Sequence, residues 1–346
     1  MFRAIIVIFS LLLLTACNSE KENAVEYTSG NADISIEKKQ QTIKSPEIYT
    51  ASIAAIGDVL LHNSVYEDAY IGNNQYDFSK MFQYVKPYLE NADITVANSE
   101  SIIGGKELGL SSYPKFNSPY EIGDTLKDAG VDVVNMANNH TLDRGEAAIV
   151  NATNYWNQLG ITYVGTAISE EEAEQIKTIT KNNIVFSFLG YTYGTNGLVA
   201  PVGKEYFVNY IDLEKMKSDI ERAKVVSDVI VVNLHMGVEY ERHFNEEQQQ
   251  IAQSLADFGA HIVFAHHPHV LQPAKWYEGE KGNKTFVIHS LGNFLSGQDQ
   301  LYRRIGAILQ LDVKKTVFYD VAGKEISKVE ILNPQLLPTY VKFHNW

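Results

Sequence analysis

From residue 51 onward, short apolar runs alternate with longer segments in which apolar residues recur every three or four positions. The runs are rich in β-branched residues, and continuous runs of this kind are typical of parallel strands buried on both faces. The alternation predicts an α/β protein whose main body spans residues 51–300. The periodic segments predict its helices over residues 77–90, 119–129, 145–159, 212–226 and 246–258.

The pattern changes on either side of this body. Residues 18–50 are polar and charged with little periodicity, which predicts a flexible polar tether. Residues 301–346 are predicted to complete the same body with antiparallel strands over residues 305–313, 316–321 and 326–332.

Residues 1–17 have the pattern of an export signal. One basic residue, Arg3, precedes an apolar run that is too short to span a bilayer, and Ala16-Cys17 follows it. The segment resembles a bacterial lipoprotein signal, which implies cleavage before Cys17 and lipidation of its thiol. Acyl chains contribute about 0.8 kcal/mol per buried CH₂, so the lipid bilayer would then hold the protein at the extracellular face of the cell membrane. An ordinary secreted protein and an uncleaved anchor are the alternatives.

Composition limits the classes of function. A chain of 346 residues that is 45% hydrophobic can bury one large core. Cys17 is the only cysteine, so the body has no disulfide, no cysteine nucleophile and no thiolate metal site. The net charge of −13 argues against binding a phosphate backbone, and we expect no nucleic-acid partner.

Residues that can bind a divalent metal follow five of the apolar runs. Taken singly, each residue type is more often structural, but parallel strands bring their carboxyl ends to one edge of a sheet. A set of carboxylate, amide and imidazole groups at that edge indicates a metal site with two ions. The residues at these strand ends are Asp58, Asn98-Ser99-Glu100, Asn138-Asn139-His140, His235 and His266-His267-Pro268-His269. A loop with Tyr191 and Tyr193 is expected near the mouth.

Several of these residues stand in short motifs: Asn139-His140-x-x-Asp143, His235-x-Gly237-x-Glu239 and His266-His267-Pro268-His269, besides Gly57-Asp58, Asn98-Ser99-Glu100 and Ser290-Leu291-Gly292-Asn293. Together they resemble the CapA family of poly-γ-glutamate capsule biosynthesis, within the calcineurin-like metallophosphoesterase superfamily, over about residues 51–297. The resemblance implies a four-layer α/β/β/α sandwich that holds two divalent ions, with manganese, iron and zinc as the candidates.

The resemblance also implies roles for individual residues. Asp58 and His269 would bind the first metal, Glu100 would bridge, and Asn139 and His235 would bind the second metal beside His267. His140 would face the substrate as a proton donor or anion-stabilising group, oriented by Asp143. Further candidates, as ligands or as residues that position them, are His62, Asn98, Glu239 and His266. Two positions depart from the superfamily pattern. Leu60 stands where the superfamily has a histidine, which His62 could replace, and Glu100 is one methylene longer than the usual aspartate.

The first hypothesis for function is a membrane-anchored extracellular component of poly-γ-glutamate synthesis or export. Its partners would be membrane-embedded synthase subunits and the polymer itself. The second hypothesis is a free-standing metal-dependent hydrolase of a phosphoester or amide at the cell surface. The third is a scaffold subunit that holds metal without turnover.

Overall fold

Two β-sheets pack face to face, and helices cover the outer face of each sheet. The computed structural model describes residues 45–320 and 323–343. The predicted signal with Cys17 and the predicted tether up to residue 44 lie outside the described residues. Within the described ranges, no helix has the length and apolar character needed to cross a membrane.

The helices are short and lie between the strands in sequence. They are α1 (Asn63–Asp68), α2 (Ser79–Phe82), α3 (Lys86–Glu90), α4 (Glu121–Asp128), α5 (Gly145–Leu159), α6 (Glu170–Ala173), α7 (Leu213–Val226) and α8 (Glu246–Phe258). The strands are β1 (Glu47–Leu60), β2 (Tyr70–Gly72), β3 (Gln75–Tyr76), β4 (Ile94–Ser99), β5 (Val133–Asn135), β6 (Thr162–Val164), β7 (Lys177–Lys181), β8 (Ile184–Thr192), β9 (Val229–His235), β10 (Ile262–His266), β11 (Leu271–Glu278), β12 (Lys284–Leu291), β13 (Asn293–Ser296), β14 (Ile305–Tyr319) and β15 (Glu325–Tyr340).

Both sheets have a parallel centre. The first sheet has the order β15-β14-β1-β4-β5-β6, with β13 paired to the carboxyl end of β1. Its strands β1, β4, β5 and β6 are parallel, whereas β14 and β15 are antiparallel. The second sheet has the order β11-β12-β10-β9-β8-β7, in which only the edge strands β11 and β7 are antiparallel.

Three apolar clusters define the layers. The middle cluster joins residues of both sheets, such as Ile53 of β1 and Phe264 of β10. One outer cluster packs α5, through Trp156, on the first sheet. The other packs α7 and α8, through Ile220 and Leu255, on the second sheet. The predicted four-layer α/β/β/α sandwich is therefore confirmed.

Three predicted boundaries were wrong. The helix expected over residues 77–90 is divided into α2 and α3, because Pro87 has no N–H for the preceding turn and favours the start of a new helix. The strands expected over 305–313 and 316–321 form one strand, β14, in which Lys315 pairs with Asp228 at 2.8 Å. The body begins before residue 51, since β1 starts at Glu47 and pairs with β14 from that residue.

The aspartate that precedes several parallel strands binds the neighbouring strand near the point where their parallel pairing begins. Asp93 accepts a hydrogen bond from Ser52 N at 2.8 Å, and Asp132 accepts one from Thr95 N at 2.9 Å. In the second sheet, Asp228 accepts from Val185 N at 2.9 Å. These bonds fix the register in which adjacent strands run toward their carboxyl ends.

Candidate metal centre

Six side chains predicted as metal ligands lie at the carboxyl ends of the two sheets. All six are buried, with at most 3% of their surface exposed. They are Asp58 in β1, Glu100 after β4, Asn139 after β5, His235 at the end of β9, and His267 and His269 after β10.

Glu100 lies between imidazoles of the second sheet. Its Oε1 is 3.5 Å from His235 Nε2 and 3.6 Å from His269 Nε2. Ligand atoms of Glu100, His267 and His269 lie within 4.8 Å of one another, close enough to share one ion. Neither Glu100 oxygen has a hydrogen-bond partner among residues 45–320 and 323–343. Because a buried carboxylate without partners is costly, the site fits a bound cation.

The charges of Glu100 and His269 depend on each other. Burial raises the pKa of Glu100 well above its ordinary value, although the positive charge of His269 opposes this. Burial lowers the pKa of His269, but Glu100 and Asp58 outweigh that effect and raise it to about 9. Without metal, therefore, His269 carries a proton at neutral pH, and a bound cation would take the place of that proton.

Asp58 is held by hydrogen bonds at the carboxyl end of β1. Asn98 Nδ2 donates to Asp58 Oδ1 at 2.8 Å, and His269 Nδ1 lies 3.1 Å from Oδ2. Burial raises the pKa of Asp58, but the His269 hydrogen bond and the nearby imidazole charges keep it below its ordinary value. Gly57 is required here, since a Cβ would lie 1.8 Å from the Gly292 carbonyl oxygen.

The imidazoles of His235, His266 and His267 are neutral. Burial, with the neighbouring imidazole charges, keeps the pKa of His235 well below its ordinary value. Burial lowers the pKa of His266 to about 4, and burial with the His269 charge lowers that of His267 to about 4. Neutral imidazole is the form that binds metal. Within the described residues, His267 Nδ1 and both His266 ring nitrogens lack hydrogen-bond partners.

The loop after β10 holds two imidazoles in strained backbone conformations. His267 has φ 99° and His269 has φ 58°, on either side of Pro268. Residues other than glycine rarely adopt positive φ, and such backbone strain concentrates at functional sites. The loop therefore positions the two histidines in a conformation that the surrounding fold must stabilise.

Asn139, His140 and Asp143 form a connected chain of polar groups. Asn139 Oδ1 lies 2.9 Å from His235 Nε2, and its amide nitrogen lies 3.3 Å from His140 Nε2. His140 Nδ1 lies 2.7 Å from Asp143 Oδ2, which also accepts from Phe116 N at 2.7 Å. Asp143 thus contacts the His140 ring at Nδ1 and is itself held by the backbone of Phe116.

The four further candidates differ in position. Asn98 binds Asp58, and His266 Nδ1 lies 3.6 Å from Asp58 Oδ1, so both contact the cluster. Glu239 is exposed and influences the cluster through its charge. His62 lies apart from the carboxylate–imidazole contacts: Gly297 N donates to its Nδ1 at 3.2 Å, and its ring packs against Phe116.

Sequence reasoning assigned no role to Asn293, whose Oδ1 lies 3.0 Å from His269 Nδ1. Its only signal was its place in the Ser290–Asn293 motif. Tyr193 does lie at the mouth, with its ring 4.7 Å from that of His267. Tyr191 does not: it is buried in β8 and donates to Asp219 at 2.7 Å.

The four-layer α/β/β/α sandwich is a fold of the metallophosphoesterase type, and the carboxylate, amide and imidazole cluster lies at its strand ends. The family model for "Bacterial capsule synthesis protein PGA_cap" matches residues 52–298. The chain belongs to this family of bacterial capsule synthesis proteins.

The chain is similar in sequence to two capsule biosynthesis proteins from Bacillus species. The PGA biosynthesis protein CapA of Bacillus subtilis (strain 168) is 29% identical over 280 residues, covering 78% of this chain and 69% of the relative. The capsule biosynthesis protein CapA of Bacillus anthracis is 26% identical over 298 residues, covering 83% of this chain and 70% of the relative.

Among solved structures, the chain is similar to a putative 5'-nucleotidase from Staphylococcus aureus in complex with α-ketoglutarate, with a TM-score of 0.49 and 13% identity. It is also similar to the NAD nucleotidase NadN of Haemophilus influenzae, with a TM-score of 0.48 and 12% identity. The matches cover 85% and 84% of this chain but only 55% and 57% of the two structures, so the chain spans little more than half of their length.

Proposed function

We propose that the protein is a metal-dependent component of poly-γ-glutamate capsule synthesis or export, anchored to the cell membrane at its extracellular face. Family membership supports the capsule role. The buried cluster between the sheets supports the metal dependence. The protein would act as one component of the assembly that makes or exports the polymer.

One observation carries the metal dependence: the Glu100 carboxylate is buried without a hydrogen-bond partner among the described residues and faces imidazoles of the second sheet. A residue kept for packing alone would not leave two carboxylate oxygens unpaired in the interior. Carboxylate, amide and imidazole together suit manganese, iron and zinc, and the proposed centre holds two such ions.

Divalent ions bound there would supply Lewis-acid chemistry and neutralise negative charge on a substrate. The protein's own groups would orient the substrate beside the ions. Asp143 holds His140 through Nδ1 at 2.7 Å, which leaves Nε2 to give or take a proton next to Asn139.

The anchoring part of the proposal depends on Cys17. Cleavage before Cys17 and lipidation of its thiol would tie the body to the bilayer, near membrane-embedded synthase subunits and the growing polymer. The Cys17→Ser variant is expected to leave the membrane fraction and to lose label from radioactive palmitate.

The central test is made in a strain that produces the polymer and carries the variant as its sole copy of the gene. His235→Ala is expected to abolish surface poly-γ-glutamate, measured by immunostaining, while the protein remains at normal abundance in the membrane fraction. The matched control is His289→Gln, because His289 is also buried but bonds Tyr277 in the interior. Normal polymer in the His235→Ala strain would overturn the proposal.

A second function, a cell-surface hydrolase, is favoured by the oriented His140 and Asp143. Purified full-length protein loaded with manganese, iron or zinc would be tested on phosphodiester, amide and polyglutamate substrates. Turnover that His140→Ala removes, with metal content unchanged, supports the hydrolase. Bound metal without turnover, together with polymer loss in the His235→Ala strain, supports a scaffold role in the synthesis assembly.

A further inference from the structure

Two arginines near the metal centre differ from the other arginines of the described ranges. Arg144 donates to backbone carbonyls and Ser111, Arg222 pairs with Asp219, and Arg304 donates to Val341 O. Among residues 45–320 and 323–343, no hydrogen bond or ion pair engages the guanidinium of Arg242 or Arg303. Their donors are therefore available in a chain whose net charge is −13.

Each of these arginines stacks on a tyrosine. The Arg303 guanidinium lies 3.4 Å from the ring centroid of Tyr240, and that of Arg242 lies 4.3 Å from the centroid of Tyr302. Stacking uses the flat face of the guanidinium and leaves its edge of N–H donors open. That edge matches the two oxygens of a carboxylate.

The Arg303–Tyr240 pair is connected to the metal ligand His269. Tyr240 N donates to Pro268 O at 2.8 Å, and the Tyr240 ring lies 6.1 Å from the His269 ring. Arg303 O accepts from Asn293 Nδ2 at 2.8 Å, while Asn293 Oδ1 lies 3.0 Å from His269 Nδ1. The loop after β9 and the turn before β14 thus bring this pair to the edge of the metal centre, and the Arg242–Tyr302 pair is formed by the same two segments.

A cavity of about 180 Å³ lies beside the Arg242–Tyr302 pair, and this volume is far larger than one water molecule requires. Arg242 and Tyr302 line it together with Val270, Leu271 and Ile305. A guanidinium next to aliphatic and aromatic surface suits a ligand that carries a carboxylate on a short methylene segment. One lining residue, Val270, directly follows the metal ligand His269 in the sequence.

The acid beside Tyr240 in the sequence is Glu239, which is exposed to solvent. It forms no ion pair with Arg242 or Arg303 within the described part of the chain. The arginines therefore remain open to a ligand from outside.

We propose that the Arg242–Tyr302 and Arg303–Tyr240 pairs form a subsite for the carboxylates of an anionic chain that passes the metal centre. This inference rests on the proposed function for the identity of that chain, a γ-linked glutamate polymer. Its repeating carboxylates on short methylene segments have the chemistry that the subsite recognises.

The test measures binding of a short fluorescent γ-linked glutamate oligomer to the full-length protein in detergent, by anisotropy, with a chelator present so that metal does not contribute. The variant Arg242→Gln/Arg303→Gln is expected to bind at least about tenfold more weakly. The control variant Lys324→Gln/Lys328→Gln removes the same charge from the exposed start of β15 and is expected to bind within about twofold of the original protein. Equal thermal unfolding midpoints would show that all variants fold.

Absence of binding by the original protein, or equal weakening in the lysine control, would overturn the subsite. Arg242→Lys/Arg303→Lys keeps the charge but loses the planar fork, so unchanged binding by this variant would also overturn it. These results are separate from the polymer test of His235→Ala in cells. Weakened binding in the arginine variant with normal polymer in that strain would retain the subsite and reject the proposed function.

Discussion

The two sheets contribute different chemistry to the same centre. The first sheet supplies acids and amides, among them Asp58, Glu100 and Asn139, whereas the second sheet and its following loop supply imidazoles. The first edge is braced by hydrogen bonds: Asn98 binds Asp58, and Asn135 donates to Asn98 at 3.0 Å.

The second edge is held in another way. His266 and His267 have ring nitrogens without partners in the described ranges, and backbone strain and packing position the loop. Neither edge alone makes a complete site, because the buried carboxylates of Asp58 and Glu100 repel each other and the single proton on His269 compensates only part of their charge. A metal ion is what would join the two edges.

The largest effect is expected from removing a ligand at either edge. Glu100→Gln and His269→Ala should each weaken metal binding by more than about 100-fold, beyond the loss from a residue that only supports a ligand. Metal content of the purified protein measures this, with His289→Gln as the control. Glu100→Gln should also raise the unfolding midpoint of the metal-free protein, because it removes a buried unpaired acid. Full metal content in both variants would contradict the claim that both sheet edges supply ligands to the metal.

A smaller effect is expected from the bracing amides. Asn98→Ala and Asn293→Ala should weaken metal affinity about 10- to 100-fold, because Asn98 orients Asp58 and Asn293 orients His269. Chelator competition measures the affinity. Asn151→Ala is the matched control, since Asn151 lies in α5 and its amide donates to Gly104 O and not to a metal ligand. If this control loses as much affinity, the bracing role is wrong.

The pH dependence should have opposite signs for stability and metal binding. In the metal-free protein, the pKa of His269 is raised from 6.5 to about 9, so its stabilising contribution is complete below 6.5 and is lost as pH rises through 9. Metal must displace that proton, so metal affinity should rise over the same window. Thermal unfolding with chelator and chelator competition measure the two trends. His269→Gln should flatten both, and unchanged slopes in that variant would refute the assignment.

The smallest effect is expected at the mouth. Tyr193→Leu removes a ring contact with His267 and should cost about 0.5–1.5 kcal/mol of stability. Tyr84→Leu is the control, because Tyr84 is 82% exposed. Denaturant unfolding would show equal losses in the two variants if the Tyr193 contact contributes nothing.

Much of this architecture could be predicted from local patterns. Apolar runs identified the central strands, and the helix predicted over residues 212–226 is α7, with Asp212 as its N-cap. The six ligand candidates follow from their places after such runs, because parallel strands bring their carboxyl ends to one edge of a sheet. The length of β14 could not be foreseen, since Lys315 lies within it through pairing with β1 and β15, and its charge is met by Asp228, which is distant in sequence.

The supporting residues of the site were harder to foresee. Asn293 and Phe116 act through contacts between segments far apart in sequence, with Phe116 N reaching Asp143 and Asn293 reaching His269. Tyr191 lies inside β8, whereas Tyr193 follows the end of that strand at Thr192, so the chain leaves the sheet between them. Periodicity locates elements, but pairings across the fold decide which polar residue serves a ligand.

The central claim is that the two edges share metal, and an anomalous-scattering map from crystals grown with manganese, iron or zinc tests it directly. The account predicts a peak about 2.0–2.6 Å from the Glu100 carboxylate and from imidazoles of the second sheet. A map without a peak there, or with ions bound only to exposed acids elsewhere, would contradict it.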